Sequence, residues 1–134
     1  MNGNWMFQRF LDNRGIGYRE IRNQIAFPVE VQNGKSLMML YSFDDDDNSS
    51  NLQAFVPCDF RYNFSEGYKL CNELNANSSG PRYVVIDDVA GGNLYGSISV
   101  QLQDYLNPNK FESLCEEMID REIDAINAVV EAVE

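Results

Sequence analysis

Four consecutive aspartates, Asp44 to Asp47, are the part of this chain that most invites a chemical reading. Read as a calcium loop, the run begins well, with acids at alternate positions. It then places Ser49 where the sixth position needs Gly, and Phe55 where the twelfth needs a bidentate Glu. Read as an aspartate pair for phosphoryl transfer, it would need a parallel sheet, and the strands around it are patterned as hairpins. Charge runs are ordinarily solvated, so the expectation is an extended loop from Asp44 to Asn51.

The other candidate chemistries lack parts. The chain contains no His, which removes the usual general base and the commonest metal ligand. Cys58, Cys71 and Cys115 form no CxxC pair and are odd in number, the pattern of reduced thiols in a cytoplasmic protein. Cys71 and Cys115 fall on apolar helix stripes, where Cys acts as a small hydrophobe. Without His, a Ser or Cys nucleophile would need Lys or a carboxylate as its base. A paired-carboxylate hydrolase has 21 acids to draw on, but no spacing marks a pair. Gly91-Gly92 leads into a strand, whereas a phosphate loop leads into a helix, so a hairpin turn is expected there. No catalytic residue, metal ligand or cofactor site is expected.

The elements follow from periodicity. Trp5, Met6, Phe10 and Leu11 recur at helical spacing, and Gly15 stands where a left-handed residue would end the helix. Of Trp5, Phe7 and Phe10, two are expected in the core. The period then changes to two: Ile25, Phe27, Val29 and Val31 alternate with Ala26, Pro28, Glu30 and Gln32. Asn33-Gly34 is a strong hairpin signal, because both residues tolerate positive φ. The partner strand runs from Ser36 to Phe43. Pro28 cannot donate to a ladder, so the first strand should be an edge or carry a bulge. A third strand spans Leu52 to Phe60, with Leu52, Ala54, Val56 and Cys58 on one face. A second helix covers Ser65 to Asn75, with Ser65 as N-cap and Tyr68, Cys71 and Leu74 as its stripe. Strands from Arg82 to Asp87 and from Leu94 to Leu102 form a hairpin. Asn107 then caps a long last helix, with Pro108 in its first turn. Its apolar stripe includes Phe111, Leu114, Cys115, Met118, Ile119, Ile123, Ile126, Val129, Val130 and Val133. Glu112, Glu116, Glu117, Asp120, Glu122 and Asp124 cover the remainder.

The 134 residues suit one domain, 1–134, large enough for a sizeable core. A net charge of −11 makes nucleic acid and anionic membrane poor partners and a basic protein face a better one. No apolar stretch approaches the roughly 18 residues of a membrane span, and Met1 to Trp5 shows no leader pattern. The chain is therefore expected to be cytoplasmic.

The pattern resembles the YbjN family of small bacterial proteins. The resemblance rests on the helix ending in Leu11-Asp12-Asn13-Arg14-Gly15-Ile16-Gly17-Tyr18 and on the hairpin at Asn33-Gly34. It extends to Leu70-Cys71-Asn72-Glu73-Leu74-Asn75 on the second helix, the following strand pair and the acidic C-terminal helix. Asp59-Phe60-Arg61-Tyr62-Asn63 replaces the proline-rich entry usual before the second helix. The resemblance implies the fold of type III secretion chaperones, no enzymatic activity, a loose link to regulation and stress, and fold relatives that bind polypeptides as dimers.

The reading is thus an α+β fold: helix, three-stranded antiparallel meander, helix, two-stranded hairpin and long C-terminal helix, with five strands in all. The function expected is a non-enzymatic protein-binding module, regulatory or chaperone-like. A carboxylate- or metal-dependent enzyme centred on Asp44 to Asp47, or an acidic inhibitor or immunity protein, is the alternative. The candidate surface comes from broken alternation. Leu37, Met39, Tyr41 and Phe43 fill one face of their strand, yet Met38 and Leu40 point to the other. Phe55 and Tyr95 are out of phase in the same way. Either helices cover both faces, or Met38, Leu40, Phe55 and Tyr95 form an apolar patch for a second copy or a protein partner.

Overall fold

A computed structural model describes residues 2–58, 64–77, 80–90 and 93–133, with the backbone alone for 87–90 and 93–95. The elements are α1 (Gly3–Asn13), β1 (Arg19–Ile21), β2 (Gln24–Glu30), β3 (Ser36–Asp44), β4 (Ser49–Cys58), α2 (Phe64–Asn77), β5 (Arg82–Ala90), β6 (Asn93–Tyr105) and α3 (Phe111–Val133). The strands form one antiparallel sheet of six, in the order β1-β2-β3-β4-β6-β5. The expected count of five is corrected by β1. Its three residues are all exposed and show no alternation. Only the turn at Arg22, with φ +57°, folds it back onto Gln24 to Ala26.

Local signals set most boundaries. α1 ends in a Schellman motif: the Ile16 N–H donates to the Leu11 carbonyl at 3.0 Å and the Gly15 N–H to the Asp12 carbonyl at 3.1 Å, with Gly15 at φ +68°. Asn33 and Gly34 lie at φ +66° and +69°, in a loop closed by the Val31 N–H donating to the Lys35 carbonyl at 2.8 Å. β1 reaches only as far as Ala26, so β2 is the sheet's edge at Pro28, where no donor is required. The Asn107 side chain accepts from the Asn109 N–H in a short 3₁₀ turn, Pro108–Lys110, that runs into α3.

The long loop expected at 44–51 is a tight turn instead. Asp44 ends β3, Asn48 takes φ +56°, and Ser49 already begins β4. Ser49 and Ser50 are fully buried, with the Tyr41 hydroxyl 2.7 Å from Ser50 Oγ. Polarity suggested a loop at these serines, and a buried hydroxyl pair shows why it misled. The turn residues Gly91 and Gly92, and the segment 59–63 that includes the end expected for the third strand, lie outside the described residues.

The helices pack on one face of the sheet. Phe7 of α1 stacks on Tyr41 of β3 with ring centroids 3.7 Å apart, and Phe10 and Phe27 join it. Met39, Tyr41, Leu52, Ala54, Ile98, Val100 and Leu102 are fully buried beneath α1 and α3. α2 docks over β5, where the Asn75 side chain holds both the N–H and the carbonyl of Tyr83 at 2.9 Å. Its buried positions are Gly67 and Cys71, and Tyr68, expected on its stripe, is exposed.

On α3 the buried residues are Phe111, Cys115, Met118, Glu122, Ala125, Ile126, Val129 and Val130. Spacings of three and four from Cys115 pass through Met118, Glu122, Ala125 and Val129, so Glu122 sits at the centre of the seam. Glu122 was assigned to solvent by its residue type, and the helix geometry overrides that. Ile119 and Ile123 lie on the flanks, half-buried. Ile126→Ala should therefore cost about 2–5 kcal/mol, and Ile119→Ala less. Urea midpoints of the two variants check the order.

Candidate protein-binding surface

With the helices all on one side, alternation leaves the other side of the sheet uncovered. Its central row, fixed by register, reads Ala26, Leu40, Gln53, Gln101 and Arg82 across β2, β3, β4, β6 and β5. A second row carries Pro28 beside Met38, then Phe55, Ser99 and Val84. Met38, Phe55 and Val84 are 51%, 40% and 54% exposed, and Leu40, between Ala26 and Gln53, is half-buried.

Met38 and Phe55 stand where the sheet divides. Pairing of β3 with β4 ends at Met39 and Ala54, although both strands run on, held by β2 and β6 respectively. The divided end opens a cavity of about 360 Å³ lined by Leu37, Val56, Pro57, Val130 and Val133 among others. Of the four residues expected to form the patch, Met38, Leu40 and Phe55 lie on the same face of the sheet. The side chain of Tyr95 lies outside the described residues. Val84 was missed. Its signal is the run Tyr83-Val84-Val85-Ile86, in which alternation forces an apolar residue outward next to the buried Tyr83.

The rest of the two rows is small or polar, with Arg82 their one charge. Gln53 Nε2 donates to Ser99 Oγ at 3.1 Å, and Gln103 Nε2 to Ser49 Oγ at 3.3 Å. No acid lies in either of the two rows, in a chain with net charge −11. The acids collect on α3 and at the β3–β4 turn.

The groups that could do chemistry are occupied otherwise. Asp44 Oδ1 accepts the Asp46 N–H at 2.9 Å and the Asp47 N–H at 3.4 Å, so that carboxylate fastens its own turn. Calorimetry with calcium at near-physiological salt should give no dissociation constant tighter than about 10⁻⁵ M, because the remaining carboxylates would have to be ordered on binding. All three thiols are free and buried. Burial pushes Cys58 up to about 11 and Cys115 up to about 12, and raises Cys71. At neutral pH they are thiols, and the thiolate is the nucleophile. Glu122 is 0% exposed, neither of its oxygens has a hydrogen-bond partner among the described residues, and burial lifts its pKa to about 8.

An antiparallel sheet of six strands with three helices packed on one face defines an α+β fold. The fold is YbjN-like. The crystal structure of YbjN from E. coli, a protein provisionally assigned as a transcription regulator, matches with a TM-score of 0.66 over 96% of this chain and 92% of that one. Sequence identity is 14%, so the likeness is one of fold. No protein-family model and no curated protein matches the chain. No helix among the described residues is long and apolar enough to cross a membrane.

Proposed function

We propose that this protein is a non-enzymatic protein-binding module, regulatory or chaperone-like, that engages a polypeptide through the uncovered face of its sheet, in the first instance a second copy of itself. The observation that carries the reading is that Met38, Phe55 and Val84, each more than one-third exposed, lie on the sheet face that no helix covers. Large apolar side chains held outward on an uncovered sheet face are available to a partner, and Met suits a surface that must fit varied partners.

Charge supports a second copy as occupant. Two chains of −11 repel wherever acids face each other, and the two central rows of this face contain none. Size is also adequate. Six strands about 4.8 Å apart, with about seven residues at about 3.4 Å each, present roughly 600 Å². Two such faces bury about 1,200 Å², the lower bound of specific interfaces. The likeness to a regulator-assigned protein, and the resemblance to a family whose fold relatives bind polypeptides as dimers, point the same way.

A photo-reactive side chain tests the surface. Placed at position 55, it should cross-link to one predominant polypeptide in cells of the native host. Placed at Asp120, on the exposed side of α3, it should give no such product. Equal, scattered products from both positions would contradict the assignment.

A further inference from the structure

A second site lies away from the sheet face. α1 and the start of α3 enclose a groove of about 620 Å³. Trp5, Arg9 and Asn13 line one wall at four-residue spacing, one helical turn apart, and Lys110 and Ser113 stand on the other. One end is closed: Arg14 pairs with Glu116, and Asn13 Nδ2 donates to Glu112 Oε1 at 3.4 Å.

The opposite end is different. Trp5, the chain's one tryptophan, is 52% exposed there, with the Arg9 guanidinium 5.0 Å from its ring centroid. Among the described residues neither Arg9 nor Lys110 meets a carboxylate, although acids outnumber cations 21 to 10. The first turn of α3 carries Glu112, which offsets the helix dipole, so the positive groups of this open end are the side chains of Arg9 and Lys110. A flat aromatic surface beside separate positive groups, in a chain that is otherwise strongly acidic, fits a ligand with a ring and more than one negative charge. The guanidinium fork matches phosphate oxygens, and lysine supplies a point charge. The volume lies within the roughly 300–1,000 Å³ of small-molecule pockets.

We propose that this groove binds a small aromatic phosphate monoester, its ring against Trp5 and its phosphate held by Arg9 and Lys110. The site is independent of the sheet face.

Phenyl phosphate and AMP are the probes, titrated by calorimetry, with Trp5 fluorescence locating the event. At least one should bind saturably and change the fluorescence; which binds tighter separates a simple aryl phosphate from a nucleotide as the source. Inorganic phosphate should bind roughly tenfold more weakly, the difference expected of one ring stacking on an aromatic side chain. Arg9→Gln should weaken the ester about tenfold or more. Trp5→Leu should reduce the ester to the affinity of inorganic phosphate. Both side chains are exposed, so both variants should fold as wild type by circular dichroism. Absence of saturable binding by either ester up to roughly 10 mM, or titrations of Arg9→Gln and Lys110→Gln that match wild type, would overturn the proposal.

Discussion

Glu122→Gln should leave stability nearly unchanged near pH 5 and raise it by several kcal/mol relative to wild type near pH 9. Glu122 lies wholly buried on the inner seam of α3 with both oxygens unpartnered, and its pKa rises from 4.5 to about 8 because burial disfavours the charged form. Below pH 4.5 the carboxyl is protonated in folded and unfolded chains alike. Between 4.5 and about 8 the unfolded chain releases the proton and the folded chain keeps it. Folding then loses about 1.4 kcal/mol per pH unit, on the order of 5 kcal/mol across the window. Above about 8 the loss is complete. Tyr83 of β5 is near enough to Glu122 for its hydroxyl pKa to be raised, first by burial and then by Glu122, and a phenol, neutral or anionic, offers the carboxylate no compensating positive charge. Arg121 and Asp124, neighbours along α3, are exposed. A loss of this size is a large fraction of a domain's usual 5–15 kcal/mol. Urea melts of wild type and Glu122→Gln across this pH range measure the difference directly. Parallel curves for the two proteins would mean that Glu122 reaches water in the folded state.

The same residue shows where the sequence was hard to read. Helical spacing identified α3 and most of its apolar seam, but a carboxylate at the centre of a seam is indistinguishable from a solvated one until neighbours are in place. Strands were legible where one face is buried, as with Leu52, Ala54, Val56 and Cys58. They were illegible where burial gives no contrast. β1 is exposed throughout, and Ser49 and Ser50 are buried despite their hydroxyls. Turn chemistry was legible at Gly15, Asn33 and Gly34, which adopt the positive φ that their residue types permit, and not at Arg22 or Asn48. For the candidate surface, alternation identified Met38, Leu40 and Phe55 because each is apolar and out of phase with a buried neighbour. Val84 escaped because Tyr83, Val84, Val85 and Ile86 are all apolar, and a continuous run does not declare which of its members faces the core.

The second large effect concerns that surface. Met38→Asp combined with Leu40→Ser should abolish self-association while preserving the fold. Met38 is 51% exposed in the single chain, so an aspartate there stays hydrated. Across an interface the same aspartate becomes a buried, unpaired charge, and leaving one unpaired costs about 3–5 kcal/mol, a hundredfold or more in affinity. Leu40, half-buried beside Ala26 and Gln53, loses apolar contact as serine with a smaller effect on the fold. Met38→Asp alone separates the two contributions.

Sedimentation equilibrium of wild type beside Met38→Asp/Leu40→Ser, with circular dichroism on both, bears most directly on the proposed role of the uncovered face. Wild type should sediment as a dimer that dissociates on dilution, and the variant as a folded monomer. A wild type that stays monomeric at every concentration, together with a variant that unfolds, would place these side chains in the core and contradict the account.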